Sequence, residues 1–186
     1  MSQAFERHAL LLRTLLALLM IGVAAAVRIA PHPWNLAPIG AMALFSGAVV
    51  RDRRLAFLFP LLALFAGDVF VGFHKLMVAV YASFAINIAI GLWLCRRRTV
   101  ARVGLATFLG AAQFFLVTNF AVWRFLGSYP MTAAGLRACY ITGLPLFLNT
   151  LCGDAIYALL LFGGYALAER FFPIPNQSEH RMAQSD

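Results

Sequence analysis

From Leu55 to Cys95 the chain contains two apolar runs of membrane-spanning length, and its only acidic or basic residues there are Asp68, His74 and Lys75. Arginine clusters close this stretch at both ends, Arg51, Arg53 and Arg54 before it and Arg96, Arg97 and Arg98 after it. Asp68 stands near the end of the first run, in PLLALFAGDVFVGFHK from Pro60 to Lys75. An ionised aspartate at the centre of a membrane helix costs roughly 2.5–3.5 kcal/mol even on insertion scales. A chain that keeps one there must give it a partner or a use.

The rest of the composition agrees with a bilayer as solvent. The 186 residues are 62% hydrophobic and only 12% charged, against about 25% charged in a soluble domain. The net charge of +8 does not mark a nucleic-acid surface, because the arginines fall in short clusters between apolar runs, which is a topology signal. Cys95, Cys139 and Cys152 form no CxxC, so neither a disulfide framework nor a zinc site is indicated. His8 and His180 sit in polar tails, which leaves His32 and His74 as the histidines of interest.

Six spans are expected. Residues 9–30 form the first, read as a retained helix rather than a cleaved signal. Pro31, His32 and Pro33 break it. Trp34 to Val50 is the second span, short and rich in small residues. Leu55 to Phe73, Leu76 to Cys95, Val103 to Trp123 and Gly143 to Ala168 are the others. The long connection 124–142 carries Gly127, Pro130 and Gly135 as breakers and is expected to hold a short interfacial helix from Met131 to Tyr140. The fold class is therefore all-α, an integral membrane bundle of six transmembrane helices spanning 1–172. A disordered cytoplasmic tail is expected over 173–186.

The positive-inside rule puts both termini and both arginine clusters in the cytoplasm, and the loops bearing His32, His74 and Tyr129 outside. Candidate binding residues then gather toward the outer leaflet: His32, Trp34 and Asn35 in the first loop, Asp68 and His74 around the second, Tyr81 at the start of the fourth span, Asn119 and Trp123 at the end of the fifth. Polar groups at one depth on several helices face a common interior, because lipid offers them no hydrogen bonds. Asp68 reads two ways, as interhelical glue or as a group orienting a ligand. Asp154, near mid-depth in the last span and close to Asn149, reads as the more structural of the two aspartates. FPLLALFAGD and LPLFLNTLCGD form a weak internal echo.

No phosphate loop, nucleotide motif or serine elbow occurs, and neither aspartate sits in GxGD, so no enzyme is expected. His32, His74 and Asp68 have no fixed ligand spacing, so no metal or cofactor is expected.

The combination PHPWNLAPIGAMALFSGA, GDVFVGFH, TNFAVWRF with YPMTAAGL, and LPLFLNTLCGD resembles an uncharacterised bacterial family of small membrane proteins. Those proteins are in turn similar to the substrate-binding S components of energy-coupling factor (ECF) vitamin transporters. The resemblance covers about residues 12–165. It implies a six-helix bundle in the inner membrane that holds a vitamin or similar small metabolite through its outer loops, with ECF transmembrane and ATPase subunits as partners. Cobalamin is the specific ligand considered, since an imidazole of His32 or His74 can coordinate cobalt. S components dock through small residues in the cytoplasmic half of helix one. Here the clearest such row, Gly22, Ala26 and Ala30, lies in the outer half, which leaves a solitary uptake protein open. The competing reading is a structural or assembly subunit with no ligand.

Overall fold

The computed structural model describes residues 11, 14–23, 26 and 38–171. They form six helices and no strand: α1 (Thr14–Val23), α2 (Ile39–Val49), α3 (Arg53–Val71), α4 (Met77–Leu94), α5 (Val100–Phe125) and α6 (Ala133–Phe171). Three of them, α4, α5 and α6, are long and apolar enough to cross a membrane. Their outer faces fit that reading, with Val78, Trp93, Phe108, Leu116, Leu159 and Leu160 all exposed, as lipid-facing side chains must be.

Helix α2 is the axis of the bundle. Residues 39–48 are all buried, and α3, α4, α5 and α6 all pack against it. Its small residues permit this. A Cβ on Gly47 would overlap the Ile88 carbonyl, and one on Gly91 would overlap the Leu44 carbonyl, so α2 and α4 cross backbone to backbone. At 11 residues and about 1.5 Å per residue, α2 reaches across about half of a 30 Å hydrocarbon core. The expected span Trp34 to Val50 is thus helical over its second part, and its first residues lie outside those described. Helix α1 lays Ala17 and Ile21 on the core and leaves Leu15, Leu19 and Val23 exposed.

The RDRR cluster does more than stop a span. Asp52 caps α3, its Oδ1 accepting from Arg54 N at 2.7 Å and Leu55 N at 3.3 Å. Pro60 inside α3 cannot donate to the Ala56 carbonyl one turn earlier. Ser46 of α2 satisfies that oxygen instead, its Oγ donating at 2.8 Å. The helix ends at Gly72, whose φ of 104° is open to glycine and strained for other residues. The mate of Asp52 at the other arginine cluster is Thr99, whose hydroxyl accepts from Arg102 N at 3.4 Å to open α5.

One expectation is corrected. There is no separate interfacial helix from Met131 to Tyr140: α6 runs unbroken for 39 residues, about 58 Å, nearly twice the hydrocarbon core. Gly135 acts as contact surface rather than as a breaker, and so does Gly143, expected as the first residue of the last span. With Cys139 they form a buried row at four-residue spacing. Gly135 lies against the Pro130 carbonyl and Gly143 against the Asn119 side chain, both too close for a Cβ. Tyr140 reinforces the row, its hydroxyl donating to Leu116 O at 2.8 Å. Tertiary packing here overrides local propensity.

Candidate functional site

The residues singled out from the sequence separate into groups. His32, Trp34 and Asn35 lie outside the described residues. Asp68 is buried and accepts from the Tyr81 hydroxyl at 2.8 Å, tying α3 to α4. His74 is exposed in the turn between those helices. Asn119 and Trp123 belong to the α5–α6 corner: Asn119 Nδ2 donates to Phe115 O at 2.9 Å, and Trp123 Nε1 donates to Pro130 O at 2.9 Å. The Cys139 thiol donates to Asn119 O at 3.4 Å. Asp68 with Tyr81, and Asn119 with Trp123, therefore have interhelical or corner-forming work of their own.

A different site emerges where α2 begins. A helix start leaves its first N–H groups without intrahelical partners, and Pro38 at the cap position supplies no side-chain acceptor. The acceptor comes from α6. Asp154, buried to 1% exposure, takes the Ala41 N–H at 2.9 Å on Oδ1, and the Gly40 N–H also donates to its carboxylate. Gly40 is required there, since a Cβ would collide with the carboxylate. Asp154 thus caps α2 across 113 positions of sequence.

Beside this cap lies a cavity of about 80 Å³ lined by Ile39, Gly40, Phe84, Asn87, Phe114, Thr150 and Asp154. Phe84 and Phe114 pack with ring centroids 5.4 Å apart and form its apolar wall. Opposite Asp154 is Asn87 of α4, 1% exposed, and its orientation follows from its neighbours. Gln113 Nε2 lies 2.9 Å from the Ser83 carbonyl, which can only accept. The same nitrogen is 2.9 Å from Asn87 Oδ1. A flipped Asn87 amide would set donor against donor, so its Nδ2 is turned away from Gln113. That nitrogen is buried and without a partner, as are Ser83 Oγ and Gln113 Oε1. Buried polar atoms are rarely left so.

The cavity is thus lined by Asn87, whose buried Nδ2 has no partner, and by Asp154, whose carboxylate accepts from the start of α2. Thr150 donates to Leu146 O at 2.9 Å and keeps acceptor capacity. Asn87, Ser83 and Gln113 were passed over in the sequence because single polar residues in apolar runs look alike. Their i, i+4 spacing on α4 (Ser83, Asn87) was the available signal.

A larger cavity, about 340 Å³, opens between α5 and α6, lined by small and apolar residues including Gly104, Ala155, Ala158 and Gly163, with Arg98 at one end. Arg98 is already engaged, its Nη2 2.9 Å from Glu169 Oε1 and its guanidinium carbon 5.4 Å from the Tyr165 ring centre. Among the described residues no group of three His, Cys, Asp or Glu side chains could hold a metal ion.

No curated protein and no solved structure matches the chain. A family model covering residues 8–177 does match, and the chain belongs to that family, DUF6580, a family of unknown function.

Proposed function

We propose that the protein is a substrate-binding or uptake protein of the bacterial inner membrane, capturing a small hydrophilic vitamin or related metabolite from the periplasmic side. The observation that supports this most is the buried start of α2, where Asp154 and Asn87, whose amide nitrogen is unpaired, both line one cavity. Helices that begin inside the bilayer and point their N-termini at a polar cavity are a recurring way to build midplane ligand sites.

In this reading six helices cross the membrane in an arrangement like an ECF S component, with both termini cytoplasmic. The arginines after α2 mark the inner surface, so its N-terminus and Asp154 sit near mid-depth. Polar groups then descend toward them from the outer side: Tyr81, Ser83 and Asn87 follow one another along α4 over about 9 Å. His32, Trp34 and Asn35 stand six, four and three residues ahead of Pro38 in the sequence. A water needs roughly 10–15 Å³ of such volume, so the cavity of about 80 Å³ holds about five to eight non-hydrogen atoms. It can take a ring or head group but not a whole corrinoid, so cobalamin would have to be held mainly by the outer residues. Movement across the bilayer would draw on an ECF-type transmembrane and ATPase pair or on metabolic trapping.

A second reading, a structural or assembly subunit, is favoured by one observation: Asp68, Asn119 and Trp123 are all bonded within the protein. Growth of a vitamin-uptake mutant separates the two. Rescue by the wild type, lost in Asp154→Asn or Asn87→Leu at unchanged amounts of folded protein, supports uptake. Loss that merely follows the amount of folded protein favours the structural subunit.

A further inference from the structure

Volume, wall and polar groups together limit what can occupy the α2 cavity. Space for about five to eight non-hydrogen atoms is the space of one six-membered ring with one or two small substituents. The wall is aromatic, from Phe84 and Phe114, which suits a flat partner. The polar groups are one donor, Asn87 Nδ2, and one acceptor, the Asp154 carboxylate. An apolar ring would leave the Asn87 amide unpaired, at a penalty that lipid cannot relieve. An anion would meet the Asp154 carboxylate. A cation such as an ammonium brings only donors, so it could pair with the carboxylate but would leave the Asn87 Nδ2 donor without an acceptor.

We infer that the cavity recognises a single neutral six-membered nitrogen heterocycle, free or as the end of a larger molecule, through an edge that carries an acceptor beside an N–H donor. The ring acceptor takes the Asn87 amide proton and the ring N–H donates to Asp154, while the ring plane lies along Phe84 and Phe114. Thr150 accepts a second donor where the ligand has one. This rests on the binding-protein reading above and names the chemical class that such a site selects.

The test uses the full chain purified in detergent and its thermal unfolding midpoint. Uracil and cytosine are the probes, with toluene as an apolar ring of similar size and methylammonium as a cation. Both bases should raise the midpoint, with dissociation constants on the order of 1 mM for fragments of this size, and neither control should. Asn87→Leu and Asp154→Asn, one on α4 and one on α6, should each weaken both bases at least tenfold. No response to either base, an equal response to toluene, or a response to methylammonium alone overturns the inference. Should the bases fail while the growth rescue holds, the inference falls and the uptake reading stands. Should the bases bind without any rescue, the uptake reading falls and the site remains.

Discussion

Asp154 is a helix cap supplied from another helix, and its removal should cost what a buried cap costs. Asp154→Ala leaves the Gly40 and Ala41 N–H groups without their acceptor, a loss of about 2–4 kcal/mol. Asp154→Asn keeps one oxygen for Ala41 and should cost about 1 kcal/mol. Unfolding midpoints in detergent should therefore rank wild type, then Asp154→Asn, then Asp154→Ala. Equal midpoints for the wild type and Asp154→Ala would mean that α2 does not depend on this carboxylate. The sequence brings Asp68 forward because it interrupts a long apolar run beside histidine and lysine, and the Tyr81 hydroxyl turns out to hold it. It gives no direct sign that Asp154 reaches Ala41, because a contact across 113 positions leaves no local pattern. The indirect sign was a helix opening at Pro38 with no capping side chain.

At the scale of the elements, glycines divide into contact points and free positions. Gly91 meets the Leu44 backbone, which cannot move aside as a side chain would, so Gly91→Ala should destabilise the protein by about 2 kcal/mol. Gly104 in α5 has open space where a Cβ would go, so Gly104→Ala should stabilise it by up to about 1 kcal/mol through helix propensity. Denaturation of the two variants side by side checks the pair, and a Gly91→Ala protein as stable as the wild type would remove the α2–α4 crossing from the account. The same distinction explains what the sequence missed in α6. Gly135 reads as a breaker and Gly143 as the start of a span, and only the positions of Pro130 and Asn119 show them to be contacts. By contrast, α3, α4 and α5 lie close to the apolar runs that announced them, because arginine clusters and capping residues such as Asp52 and Thr99 mark their ends in the sequence itself.

For the whole molecule, the bundle is organised around a short α2 buried over residues 39–48. Long apolar helices were legible from composition, since a chain with 12% charged residues has no aqueous alternative. The depth at which α2 starts was only hinted at by Pro38, because the run from Trp34 to Val50, apolar apart from Asn35 and Ser46, otherwise hides where the helix begins. That start is what places an acceptor, a donor and an aromatic wall around one cavity. The account's central claim is that this cavity holds a small ligand, and native mass spectrometry of the gently purified protein tests it most directly. A bound small polar molecule on the wild type, absent from Asp154→Asn prepared alongside, is the predicted result. An unliganded wild type, or a ligand retained unchanged by Asp154→Asn, would contradict it.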